Sequence, residues 1–264
     1  MSGRLELPSL KMRAMKTDRN RRLKGARHWS LPSLAMTAAA SLALALGLTA
    51  CENVASYTQP SLVRVIDASY IAPAVDVEVE GALIANNIGQ GTITPYGTLP
   101  ASTNALIQVT AATGGAALVT SNGTLLAGHQ HSVFLTDNGA APTSYEVTVL
   151  EDQQIPAAAG HSAFRFLNQA PKTGAVDVYM IPSGATMANT IPLVTALPVG
   201  ATAGYISFTS QTVTMVITPT GLTTPKYTST PLALTGGEVR TVLIVDTQLT
   251  SNPPVEVFMA NDVN

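Results

Sequence analysis

Two arginines stand twelve positions ahead of two aspartates, Arg64 before Asp76 and Arg165 before Asp177. Each pair opens an otherwise similar stretch ending in Ala-Val-Asp-Val. A guanidinium facing a carboxylate forms short, charge-assisted hydrogen bonds. The spacing therefore predicts that Arg and Asp meet across a loop, as a salt bridge or as an arginine clamp on loop backbone. Further carboxylates, Asp137 and Asp246, follow matching apolar runs. With Asp76 and Asp177 they form the arrangement best suited to hydrolysis of a glycan or peptide bond by paired carboxylates. Outward placement on strands explains the same acids without chemistry.

Other constellations are thinner. His129-Gln130-His131 puts two imidazoles on one face of a strand, half of a metal site, but no third ligand is identifiable. The positions matching them in the second half are Glu238 and Arg240. Gly160-His161-Ser162-Ala163-Phe164 lacks the second glycine of a nucleophile elbow. Neither a phosphate-cradling Walker loop nor a dinucleotide fingerprint is present. No metal and no cofactor is expected.

Cys51 is the sole cysteine and closes an apolar run, Leu34–Leu48, that follows Arg19, Arg21, Arg22, Lys24 and Arg27. Basic residues, an apolar stretch, and Leu48-Thr49-Ala50-Cys51 in that order predict a lipoprotein signal peptide over residues 1–50, with acylation at Cys51. Met12 and Met15 are alternative starts. Residues 1–50 hold 9 Lys/Arg and 2 Asp/Glu, whereas residues 51–264 hold 5 and 14. Nucleic acid is thus an unsuitable partner for the remainder, since phosphate contacts dominate such binding. Acylation consumes the only thiol, so disulfides contribute nothing and core burial must suffice.

Beyond Cys51 the chain consists of short β-branched runs broken by Gly, Pro and Asn, without long amphipathic periodicity. Runs such as Leu62–Ile66, Val75–Val79, Ser132–Leu135, Val176–Ile181 and Val239–Val245 predict an all-β chain. Val75 to Glu80 alternates strictly, with valines inward and acids outward. A strand at 62–66 and one at 75–79 are expected to pair antiparallel. Asn122-Gly123 and Gly236-Gly237 read as tight turns. The repeated blocks divide the chain into a tether over 51–61, a first β-sandwich over 62–152, a linker over 153–162 and a second over 163–262. Gly128 and Ser132–Leu135 match Gly237 and Thr241–Val245, and Tyr145–Val149 is matched with Pro254–Phe258.

These blocks, Arg64 to Val77 and Arg165 to Val178, resemble the opening of the bacterial domain of unknown function 4397, in two tandem copies. The resemblance implies immunoglobulin-like sandwiches in exported, lipid-anchored proteins. It supplies no reaction and no catalytic residue. Where that family tends to carry His-Ala-Ser-Pro, this chain has Asp67-Ala68-Ser69-Tyr70 and Asn168-Gln169-Ala170-Pro171.

The expectation is a non-enzymatic, lipid-anchored cell-envelope protein with a binding or structural role. Its partners would be the membrane, through the N-terminal lipid, and an envelope protein or glycan. The outer membrane is favoured over the inner where the host has two. The competing expectation is a carboxylate-dependent envelope hydrolase.

Overall fold

The structure is a computed structural model that describes residues 58–137, 144–248 and 254–263. The predicted leader over 1–50, Cys51 and most of the tether lie outside the described residues. Among the described residues the chain is almost wholly β, and no helix is long and apolar enough to cross a membrane. In chain order the first half forms β1 (Ser61–Asp67), β2 (Val75–Val79), β3 (Ala82–Ile88), β4 (Gly97–Leu99), β5 (Ser102–Ala111), β6 (Ala117–Leu125), β7 (Gln130–Asp137) and β8 (Tyr145–Glu151). The second half forms β9 (His161–Gln169), β10 (Val176–Pro182), β11 (Val194–Leu197), β12 (Thr202–Thr209) and β13 (Thr212–Pro219). It continues with β14 (Tyr227–Thr228), β15 (Leu232–Ala233), β16 (Val239–Asp246) and β17 (Val255–Asn261).

These strands build two β-sandwiches in tandem. The first stacks sheet β4-β1-β7-β8 on sheet β3-β2-β5-β6; the second stacks β12-β9-β16-β17 on β11-β10-β13-β14, with β15 also on β13. In each, the first strand runs parallel to a late one, β1 beside β7 and β9 beside β16. The first core joins Val63, Val65 and Val133 to Val75, Val77, Ile107 and Val109 of the facing sheet. The second joins Phe164, Phe166 and Val242 to Val176, Val178, Met215 and Ile217. The predicted alternation on β2 holds: Val75, Val77 and Val79 are fully buried while Glu78 is exposed.

β1 does not pair with β2. The two lie in opposite sheets, so the segment between them crosses the sandwich rather than turning a hairpin. The reason lies in burial. β1 is buried at six of its seven residues and β9 at eight of nine, so both faces of each are covered where a two-layer sandwich would bury one. The second face of each is covered by the other sandwich through a third apolar cluster of Ile66, Ala68, Phe134, Leu167, Leu243 and Val245.

The two sandwiches correspond position by position. Arg64 lies opposite Ser132 as Arg165 lies opposite Thr241. At one end Arg64 meets the Asn261–Asp262 segment and Arg165 meets Glu151–Asp152. At the other, Gln90 donates to Asp246 O and Gln248 to Tyr70 O. The reciprocal arginine contacts define a pseudo-twofold axis running along the strands. Chain entry at Pro60 and the linker therefore share one end, and the loops after β1 and β9 share the opposite end, about 25 Å away at 3.3 Å per strand residue.

Gly236-Gly237 is a turn, with φ +92 at Gly237. Asn122-Gly123 is not: both residues sit inside β6. Gly123 is required there by proximity, because a Cβ would stand 2.4 Å from Val149 Cγ2 on β8 of the facing sheet.

Candidate functional site

The densest cluster of chemically capable side chains lies in the seam between the sandwiches. Arg64 Nε donates to Ser132 Oγ at 2.7 Å, Nη1 to Asn261 O at 2.9 Å, and Nη2 to the Asp262 carboxylate. Arg165 repeats the pattern: Nε donates to Thr241 Oγ1 at 3.1 Å, Nη1 to Glu151 O at 3.1 Å, and Nη2 to the Asp152 carboxylate. Tyr96 donates its hydroxyl to Asp152 at 2.7 Å and Tyr205 donates to Asp262 at 2.8 Å. The guanidinium carbons stand 4.7 Å and 4.9 Å from the ring centroids of Tyr96 and Tyr205. Each sandwich thus ends in an aspartate whose hydroxyl partners are its own and whose closest arginine comes from the other, with Arg64 also 3.6 Å from Asp152.

Burial and the neighbouring Asp152 hold the Tyr96 phenol far above its ordinary range, and burial does the same to Tyr205. Burial also raises Asp262, opposed by Arg64. The phenols stay protonated as donors. Both arginines and both carboxylates are nearly or fully inaccessible to solvent. This is a locking arrangement. Taken pairwise, buried ion pairs add little net stability, but removing one member strands the other without solvation.

The expected meeting of Arg64 with Asp76 and of Arg165 with Asp177 is corrected by these contacts. Asp76 instead accepts from Asn87 N at 2.7 Å, and Asp177 from Ala196 N at 2.7 Å and Gly221 N at 3.0 Å. Asn87 and Ala196 occupy equivalent places after a register shift and both have φ +50. The carboxylate therefore pins a left-handed residue that would otherwise be strained. Arg and Asp share a sequence block but serve different parts of it, because β1 and β9 face the seam while β2 and β10 lie in the far sheets.

The remaining acids cap loops. Asp137 accepts from Ser69 Oγ at 2.5 Å and Tyr70 N at 2.6 Å. Asp246 accepts from the amides of Lys172 and Thr173 at 2.5 Å and 3.1 Å and from Thr173 Oγ1 at 2.5 Å. Asp76 and Asp137 belong to opposite sheets, and the cleft that Asp137 lines does not include Asp76. His131 is buried, sharing a 2.9 Å hydrogen bond with Ser61 Oγ, and burial lowers its pKa. His129 is exposed and pairs with Glu151 at 2.6 Å. Their rings are 6.5 Å apart, and no group of three or more His, Cys, Asp or Glu suited to a metal occurs among the described residues.

Asp152, Asp262, Tyr96 and Tyr205 were not singled out from sequence as partners of the arginines. The signal was there: both aspartates follow the last strand of a sandwich. Matching Tyr145 with Pro254 hid it, since the true register places Tyr145 opposite Asp137 and Val255 opposite Asp246. That one-residue slip sets Asn261 against Asp152.

Fold and site together define a two-sandwich β protein whose halves are welded by a reciprocal ionic seam. Residues 61–179 match the model of a family described as a domain of unknown function, DUF4397. The match begins on β1 and ends within β10, so it contains both Arg64 and Arg165. No curated protein matches the chain. Among solved structures, it is similar to a carbohydrate-binding module of family CBM26 from Eubacterium rectale Amy13K in complex with maltoheptaose. Identity is 12%, with 75% of this chain and 96% of that one covered, at a TM-score of 0.25. It is also similar to a protein of Bacteroides fragilis assigned to cell adhesion, at 10% identity, 77% and 97% coverage and a TM-score of 0.19.

Proposed function

We propose that this is a lipid-anchored cell-envelope protein that binds rather than catalyses. The observation that carries this reading is the polarity of the molecule. Chain entry at Pro60 lies at one end of the strands, and the paired loops Asp67 to Pro73 and Asn168 to Gly174 lie at the other. Residues 52–60 reach at most ~30 Å when extended. An acyl group on Cys51 would hold the entry end near a membrane and present the loop end outward. The seam supports the same reading, since it joins two sandwiches in one compact unit while engaging its acids, arginines and phenols structurally. The DUF4397 match covers residues 61–179 as one unit; the proposal of two related copies rests on the repeated Arg64–Val77 and Arg165–Val178 blocks. An envelope protein or a glycan is the class of partner proposed, with the outer membrane favoured. Paired carboxylate hydrolysis lacks support, because Asp76, Asp137, Asp177 and Asp246 all accept from backbone amides.

Metabolic labelling with a palmitate analogue tests the anchor. Label is expected on the wild-type chain and absent from Cys51→Ser, with the β unit folded in both. Equal labelling of the two would reject acylation at Cys51. Crosslinking in intact envelopes tests the binding role: specific partners should exceed those of an unrelated lipoprotein.

A further inference from the structure

The seam is symmetric in backbone but not in polarity. On one flank Phe258 of β17 lies over Gly91, whose added Cβ would stand 2.3 Å from the ring. Phe258 and Ile93 both pack there against the apolar cluster that includes Ile66, Ala68 and Val245. The pseudo-twofold axis carries Gly91 to Gly200, since Gly91 N donates to Asp67 O as Gly200 N donates to Asn168 O. It carries Phe258, which faces Leu243, to Thr148, which faces Phe134. The other changes follow the same sense: Val245 becomes Thr136, Ile93 becomes Thr202, and Ala68 becomes Gln169. Four apolar positions on one flank are thus hydroxyl or amide positions on the other.

Where the Phe258 ring would sit, the second flank holds a cleft of about 70 Å³, lined in part by Glu146 and by Asp137, whose carboxylate also accepts from Ser69 and Tyr70. Its walls also include Phe134, Leu150 and Leu167, and no Lys or Arg lines it. A cleft with apolar walls, several oxygen acceptors, two acids and no cation rejects anions. It suits a cation on an apolar stem, whose methylenes can lie on the Phe134–Leu167 wall while its N–H groups meet the acceptors. The volume fits a short chain and not a ring system.

We propose that this seam cleft binds a primary alkylammonium group, as a free amine or as the side chain of a lysine-type residue on a partner. The strongly acidic balance of residues 51–264, 14 Asp/Glu against 5 Lys/Arg, draws such cations toward the molecule. This deepens the binding half of the proposed function and does not depend on the lipid anchor.

The test is a titration of the full-length protein in detergent with cadaverine and, separately, with Nα-acetyl-L-lysine methylamide, following the amide resonances of Gly200, Thr202 and Thr148. Saturable shifts at these amides are expected. A response to cadaverine alone assigns a free amine, and a response to the lysine derivative assigns a chain-borne side chain. Thr148→Phe, which copies Phe258, should fill the cleft and weaken binding at least tenfold without lowering Tm, and Glu146→Gln should weaken it without unfolding. Absence of shifts with both probes, or shifts that persist in Thr148→Phe, would overturn the assignment. Such a failure leaves the envelope crosslinking result to decide the wider binding role.

Discussion

At the residue scale the two sandwiches serve as controls for one another. Asn168 accepts from Ala170 N through Oδ1 and donates from Nδ2 to Gly174 O and Leu197 O, both at 2.9 Å. Asp67 occupies the equivalent place and accepts from Ser69 N, but its Oδ2 is buried without a partner. Burial, with Asp137 nearby, pushes its carboxyl up from 3.8 to about 7. A protonated Asp67 supplies the donor that Asn168 has permanently. Between pH 3.8 and about 7 the unfolded chain has already released a proton that the folded chain retains, so stability falls as pH rises through that window. Asp67→Asn removes this dependence while keeping the acceptor. Denaturant melts should find the variant more stable than wild type at pH 8, by on the order of 1–3 kcal/mol, and equal to it below pH 4. A difference of the same size at both pH values would mean that the gain comes from something other than ionisation.

At the element scale, β6 shows how a local signal can mislead. Asn-Gly is among the strongest hairpin signals, yet here it continues a strand, and the tertiary contact with β8 decides the matter. Gly123→Ala should cost about 1–3 kcal/mol because the new methyl collides with Val149, and Val149→Ala should recover most of that loss. Urea melts of the two single variants and the double variant check the coupling; additive losses would show that Gly123 is present for backbone freedom instead. Strands dominated by β-branched runs, such as β2, β10 and β16, were legible because valine alternation writes both period and face. β3, β11, β14 and β15 were not, being short, polar or preceded by Pro225 and Pro231. The function of Arg64 and Arg165 was half legible. Their type and spacing announced a structural ion pair, but a long-range partner such as Asp262 leaves no periodic trace, and equal spacing within a block drew attention to Asp76 and Asp177.

At the scale of the whole molecule, the question is whether two sandwiches behave as one. Their apolar seam is modest, with a few large side chains, Ile66, Phe134, Leu167 and Leu243, fully or nearly buried at its centre. The ionic part adds specificity more than raw stability, because both charges of each pair must give up water to meet. It nonetheless couples the halves tightly, since separating them would leave Arg64, Arg165, Asp152 and Asp262 without their partners across the seam. Wild-type protein should therefore unfold in a single calorimetric transition in which both sandwiches melt together. Arg165→Ala takes from buried Asp152 its closest cation, leaving Arg64 at 3.6 Å and the Ser132 and Tyr96 hydroxyls, a loss of about 3–5 kcal/mol. At 2–4 °C per kcal/mol for a unit of this size, Tm should fall by roughly 10 °C. The transition should also broaden or split, because the seam gives way before either core. Adding Asp152→Ala to Arg165→Ala removes the carboxylate that has lost its partner across the seam and should restore part of the loss while leaving the halves uncoupled. An unchanged melt for Arg165→Ala would show that the sandwiches are held by their apolar contact alone, and that the ionic seam merely occupies it.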